Sequence, residues 1–222
     1  MITGAVVPLY VHPLVDPGAW KVAHREGPGA RCVVVNVADG PGEAAPDDEY
    51  VTWVARLTER SVRVAGYVDC GYGARRSDLL RADVERWRKV YGVRSFFLDR
   101  FPSTAATPTT RAVRWLRDTG AELVVANPGV EAHGDATTGV DISVAFEGPW
   151  RAYRSGILAG TVKARSSRDI AHLVYAVPRN QHQRAHALAR ELGALVYVTS
   201  GDGANPWGHL REARSLASAG LA

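Results

Sequence analysis

Tyr91-Gly92-Val93-Arg94-Ser95-Phe96-Phe97-Leu98-Asp99-Arg100 holds the transition that decides the fold. Upstream of it, Leu80, Val84, Trp87 and Tyr91 recur at spacings of four and three, the period of one helix face. Gly92 makes a tight turn at the end of that helix, and the apolar run that follows reads as a short strand ending on Asp99. A helix entering a strand through a tight glycine turn is part of a βα repeat. In parallel α/β proteins, ligands meet the carboxyl ends of the strands. A carboxylate at such a tip can serve as acid, base or nucleophile. It can equally cap a turn or pair with its neighbour Arg100.

The same unit recurs in both directions. Upstream, residues 5–12 (AVVPLYVH), 32–37 (CVVVNV) and 62–69 (VRVAGYVD) read as strands. Trp20 and Val22 mark a short amphipathic segment after the first. Asp47 and Asp48 are N-cap candidates for a helix that shows Tyr50, Val54 and Leu57 on one face. After the third strand, Gly71-Tyr72-Gly73 leads to a helix capped at Ser77. Downstream, a helix with Thr107 as cap and Pro108 in its first turn stops at Gly120. Further strands follow at residues 123–127, 142–147, 172–178 and 195–199. A helix over about 180–192 is closed by Gly193, and a final helix is expected to contain Leu210 and Leu216. Little room for a helix remains between Gly129 and Asp141.

Eight strands in alternation with helices, without a compositional break, predict an α/β fold: a (β/α)8 TIM barrel in a single compact domain over residues 1–222. An open doubly wound sheet is the alternative, but no G-x-G-x-x-G follows the first strand and there is no P-loop.

The 222 residues are 46% hydrophobic, enough for one substantial core, and carry a formal charge of +4. All but three of the 27 basic residues are arginine, the lysines being Lys21, Lys89 and Lys163. No dense basic run with interleaved aromatics points to nucleic acid. No stretch reaches the roughly 18 apolar residues of a membrane span. Met1-Ile2-Thr3-Gly4 lacks a basic leader, so a cytoplasmic location is expected. Cys32 and Cys70 fall inside strands without CxxC spacing and read as buried free thiols.

A barrel gathers its strand tips on one face. Here these are Tyr10 and His12, Asn36, Tyr67 and Asp69, Asp99 and Arg100, Asn127, Glu147, Tyr175 and Thr199. This polar, aromatic and acidic set suits a sugar, whose hydroxyls take hydrogen bonds from carboxylates and amides while its C–H faces pack on rings. Two carboxylates on separate strands, Asp99 and Glu147, are the minimum for glycoside hydrolysis. The remaining positions are expected to hold substrate. Trp150, Tyr153 and Trp207 follow strand tips and fit either stacking or packing, whereas Trp53, Trp87 and Trp115 sit at core spacing. His182 and His186 stand four apart without an obvious acidic partner, and Gln181-His182-Gln183-Arg184 reads as a solvated face. No metal and no cofactor is expected, and no G-x-S-x-G elbow is present. The expected partner is a small molecule or an oligosaccharide.

With these residues placed, the chain resembles the spherulin-4 (spherulation-specific family 4) proteins. The matching pieces are Pro8-Leu9-Tyr10-Val11-His12-Pro13, Asn36 with Gly40-Pro41-Gly42, Gly66-Tyr67-Val68 and Phe97-Leu98-Asp99. Asn127-Pro128-Gly129, Asp141 with Phe146-Glu147, and Val196-Tyr197-Val198-Thr199 with Asn205-Pro206 complete the ordered set. The resemblance implies a (β/α)8 barrel akin to glycoside hydrolases that cleave α-1,4-linked galactosamine or N-acetylgalactosamine polymers. In that family the fourth strand ends in Asp-Glu and the sixth in Glu, so Asp99 and Glu147 match while Arg100 replaces the second acid. Arg100 could favour the ionised form of Asp99, leave the pocket on the opposite side of the strand, or bind an anionic substituent. Three functions stay open. These are a hydrolase acting on a glycosidic or related sugar bond, an enzyme recruited to rearrange or cyclise a small natural product in bacterial secondary metabolism, and a non-catalytic sugar-binding barrel.

Overall fold

The computed structural model describes residues 4–43, 45–133, 135–162, 164, 169–208 and 210. The expected final helix falls largely outside them: Leu216 lies outside the described residues, while Leu210 is buried.

Eight parallel strands form one ladder in chain order: β1 (Val6–Leu9), β2 (Cys32–Val35), β3 (Val64–Asp69), β4 (Ser95–Asp99), β5 (Leu123–Ala126), β6 (Ile142–Pro149), β7 (Asp169–Tyr175) and β8 (Leu195–Val198). The ends of the ladder, β8 and β1, come together. Above that seam the Asn205 Nδ2 donates to the Tyr10 carbonyl at 2.7 Å. The fold is a (β/α)8 TIM barrel. Helices α1 (Pro17–Glu26), α2 (Asp48–Glu59), α3 (Ser77–Tyr91), α4 (Thr107–Asp118), α5 (Trp150–Leu158) and α6 (His182–Glu191) wrap it. The connection from β5 to β6 holds no helix among the described residues, as its length implied.

Local chemistry accounts for the element ends. The Asp47 carboxylate accepts the N–H groups of Glu49 and Tyr50 and starts α2, and Asp16 does the same for α1 through Ala19. Gly92, at φ 67°, ends α3 in the left-handed region. Ser77 and Thr107 are not caps: each is the first helical residue, and neither Arg76 nor Ala106 before it makes a side-chain capping bond. In α4, Pro108 fixes the first turn instead.

Helices seat on the sheet by close approach. The Trp87 indole of α3 lies on Gly66 of β3, where a Cβ would come within 2.5 Å of the ring. Its Nε1 donates to the Tyr67 carbonyl at 2.8 Å, so the large buried ring also satisfies its polar edge. Both cysteines are buried and free, with thiols that burial pushes up to about 12.

One irregularity sets the site. Val144 pairs with Ala171 and Phe146 with His172, so β6 advances two residues while β7 advances one. Ala145 is thus a β-bulge. Strict alternation would send Val144 and Glu147 to opposite faces. Across the bulge, Glu147 falls opposite Leu173 and shares the face of Val144.

Candidate active site

Tyr10 follows β1 and Tyr67 lies on β3, with β2 between them. Their rings nevertheless meet edge to face at 5.8 Å, and Tyr67 stacks on Phe97 of β4 at 6.3 Å. Side chains from non-adjacent strands can touch only inside the barrel. The two tyrosine rings line an open cleft of about 790 Å³ at its carboxyl-terminal mouth, with Phe97 packed beneath.

Asp99 ends β4 and Glu147 lies near the end of β6. Between them stands Asn127, just past β5 and 4% exposed. Its Oδ1 accepts the Gly129 N–H at 3.0 Å, which turns the NH2 end toward the carboxylates. That single nitrogen donates to Asp99 Oδ1 at 2.6 Å and to Glu147 Oε2 at 2.5 Å. The two oxygens therefore stand no farther apart than the two bonds laid end to end, about 5 Å. The other oxygen of Asp99 accepts the Tyr67 hydroxyl at 2.6 Å.

The electrostatics follow from this packing. Burial is the main cause that raises Glu147 above the ordinary carboxylate range, and the neighbouring Asp99 charge adds to it. Hydrogen bonds from Asn127 and from the Trp207 indole oppose the rise. Burial, then Asp99 and Glu147, hold the Tyr10 hydroxyl well above the usual phenol value. Tyr67 is raised for similar reasons, burial first and then Asp99. Both phenols are therefore neutral donors facing two acids.

Tyr10, His12, Asn36, Tyr67, Asp99, Glu147 and Tyr175 all line the cleft. His12 does so with its nitrogens engaged: Nδ1 accepts the Leu14 N–H at 3.1 Å, and Nε2 meets Asp47 Oδ2 at 2.9 Å. The acceptor role of Nδ1 puts the proton on Nε2. His12 thus offers the cleft its ring, not a free nitrogen. The Asn36 Oδ1 accepts the Gly40 N–H at 2.9 Å, which fixes that side chain's orientation.

Three expected substrate positions lie elsewhere. The Arg100 Nε donates to Asp69 Oδ1 at 2.7 Å and its Nη2 to Asp69 Oδ2, so these two side chains engage each other on the outer rim. Of the alternatives for Arg100, the structure takes the one in which it leaves the pocket. The cause is its backbone, which turns left-handed at φ 46° immediately after Asp99. Thr199 is 1% exposed beneath the loop that follows β8, where its Oγ1 accepts the Gly201 N–H at 3.0 Å.

That loop contributes what the strand tips did not announce. Gly201 leaves no room for a Cβ, since one would lie 2.2 Å from the Pro206 carbonyl oxygen. The tight passage brings Asn205, Pro206 and Trp207 to the cleft. Trp207 packs edge to face on Tyr175 at 5.7 Å, and its indole counters the rise of Glu147. Asp39 and Tyr50 also line the cleft. In the chain this loop is marked by Trp207, which follows a strand tip, and by the Asn205-Pro206 pair.

Other candidates resolve into packing. Trp150 and Tyr153 join a second apolar cluster between α5, β7 and α6, where the Tyr153 hydroxyl meets His172 Nδ1 at 2.8 Å. Trp87 is fully buried and Trp53 nearly so. His182 is buried rather than solvated, its Nε2 shared by the Val177 carbonyl and the Ser200 hydroxyl. Among the described residues no cluster of metal-ligating side chains occurs, and no helix is long and apolar enough to cross a membrane.

Comparison with known proteins bears on this architecture. The family model of spherulation-specific family 4 matches residues 4–215. Spherulin-4 of Physarum polycephalum is 35% identical over 104 residues, which cover 46% of this chain and 30% of that protein. The matched region therefore spans less than a third of that relative. Among solved structures, Sph3 of Aspergillus clavatus, crystallised in complex with GalNAc, superposes with a TM-score of 0.74 at 24% identity, over 94% of this chain and 95% of that one. At that identity the likeness is one of fold.

Proposed function

The chain belongs to spherulation-specific family 4, and from that premise we propose that it is a glycoside hydrolase acting on amino-sugar chains through Asp99 and Glu147. The observation that carries this reading is the Asn127 amide bridging the two carboxylates, which holds the bridged oxygens within about 5 Å of each other, too close for the wider gap of an inverting pair. Carboxyl groups roughly 5–5.5 Å apart suit a retaining mechanism, whereas inversion needs room for a water between them.

Glu147, raised by burial, is the proton donor to the glycosidic oxygen. Asp99, both of whose oxygens accept hydrogen bonds, attacks the anomeric carbon as the leaving sugar departs. Glu147, now ionised, then takes a proton from the water that releases the sugar from Asp99. Tyr67 and Asn127 orient Asp99. Tyr10 and Tyr175 offer rings and hydroxyls to the bound sugar. Arg100, turned outward, leaves this pair intact although it stands where the family pattern has a second acid. The ligand in the Sph3 crystal supports an N-acetylgalactosamine-type substrate.

The test is incubation of the purified protein with galactosamine and N-acetylgalactosamine oligomers, read by mass spectrometry against Glu147→Gln protein. Shorter oligomers from the wild type alone are expected. Intact oligomers from both, with the proteins folded, would overturn the reading.

A further inference from the structure

Outside the cleft, the rim above β3 and β4 carries a second construction. The Cys70 N–H donates to the Asp99 carbonyl at 2.8 Å and the Tyr72 N–H to the Arg100 carbonyl at 2.6 Å. The two chain segments thus stay paired beyond their strand tips. Tyr72 and Arg100 both adopt left-handed backbone, at φ 52° and 46°, a strained state for non-glycine residues that persists only where the surroundings enforce it. Left-handed Gly71 and Gly73 flank Tyr72 and make the turn possible.

The outcome is a Tyr72 ring 65% exposed with the Arg100 guanidinium over it, 5.9 Å from the ring centroid. Arg100 is in turn locked by Asp69, which also accepts the Gly71 N–H at 2.8 Å. The guanidinium charge is matched by Asp69, so the assembly presents an aromatic face rather than an anion site. A pyranose packs its C–H face on such a ring. Galacto-configured sugars suit it, because an axial O4 leaves H3, H4 and H5 together on one face. Tyr72 is the third residue after Asp69, in a tight turn past the tip of β3, so chain length keeps its backbone within roughly 10 Å of Asp69, the register partner of Asp99. The ring thus stands on the same barrel rim as the cleft, where a further residue of a chain bound there would pass.

We propose that Tyr72, backed by the Arg100–Asp69 pair, is an outer stacking subsite for a further sugar of a polymeric amino-sugar ligand. This rests on the function proposed above. Arg100 then supports a binding platform at the position where the family pattern has an acid.

The test uses Glu147→Gln protein, which leaves the ligand intact, and α-1,4-linked galactosamine oligomers from disaccharide to hexasaccharide, titrated calorimetrically. Affinity should rise with length. Adding Tyr72→Asn, which tolerates the left-handed backbone, should weaken the long oligomers by about threefold to tenfold and flatten that rise. Tyr72→Phe should retain it. An unchanged length dependence in Tyr72→Asn, or an equal loss at every length, overturns the subsite while leaving the proposed hydrolase standing. Failure of every oligomer to bind the Tyr72-containing protein would overturn both.

Discussion

Asp69 and Asp99 are register partners at the tips of adjacent strands, yet they serve two different regions. On the β3–β4 rim, Asp69 gives both oxygens to the guanidinium of Arg100. Burial works to raise Asp69, but the Arg100 bonds and the Gly71 N–H prevail and hold it below its ordinary value. At the β4–β6 mouth, Asp99 takes its bonds from an uncharged hydroxyl and an uncharged amide. A bidentate cation neutralises a carboxylate and occupies it. Neutral donors orient one without cancelling its charge. A strand tip supplies an opportunity, and the partners that meet it decide whether its carboxylate is tied up by a cation or held by neutral donors.

This contrast is probed most severely by removing the acids. Glu147→Gln and Asp99→Asn should each lower turnover of amino-sugar oligomers by at least about a thousandfold. Circular dichroism should show an unchanged fold. Residual rates near wild type in both would mean that the carboxylates at the mouth are structural too.

Removing the shared donor comes next. Asn127→Ala takes one charge-assisted bond from each carboxylate and should cost roughly tenfold to a hundredfold in kcat. Because the Asn127 bond lowers Glu147, its loss raises that group further. The alkaline limb of the pH–rate profile should then move to higher pH. A limb that moves downward would contradict the assignment of Glu147 as the proton donor.

Trp207→Phe is milder. It keeps the ring against Tyr175 but deletes the indole N–H that opposes the rise of Glu147. A shift of the same limb in the same direction, with a drop in kcat of about threefold to tenfold, is expected. The two shifts together would separate donors to Glu147 from contacts that only shape the cleft.

The smallest effect belongs to the rim. Asp69→Asn breaks the pair with Arg100, whose side chain is 49% exposed, so solvent screening limits the loss to roughly 0.5–1 kcal/mol, about 1–3 °C in Tm. The sign with pH is fixed by Asp69 being held low. Its contribution is complete above the unfolded carboxylate pKa near 4 and disappears as pH falls through the lower folded value. Thermal melts should therefore show the variant losing less stability than the wild type when the pH drops from about 5 to about 3. Glu147 runs the other way. Its raised value stabilises the fold at low pH and the benefit fades as pH rises, so Glu147→Gln should flatten the opposite slope.

The barrel was legible because its signals are local. Gly92 after Tyr91, the apolar runs at Val33-Val34-Val35 and Phe96-Phe97-Leu98, and the Asp47 cap each act within a few residues of themselves. Ser77 and Thr107 misled as caps because residue type alone does not tell a capping position from the first turn. The tip residues were mostly legible too, since position after an apolar run places Tyr10, Asn36, Asp99 and Tyr175 at the mouth. Asp69, Arg100 and Thr199 met the same criterion and turned elsewhere. A run of residues says where a strand ends and not how the next φ angle will swing.

By itself the sequence determined the alternation of strands and helices, the ring of polar tips, and the two carboxylates standing at separate strand ends. Those properties follow from periodicity and turn chemistry, which act over short stretches of chain. Only the tertiary structure decided that the bulge at Ala145 would bring Glu147 to the inner face, and that one Asn127 nitrogen would join it to Asp99. It alone set Asp47 against His12, Trp207 against Glu147, and Asp69 against Arg100. Each of these pairs joins residues far apart in the chain, and their meeting depends on barrel closure, strand register and backbone turns that no local pattern of residues contains.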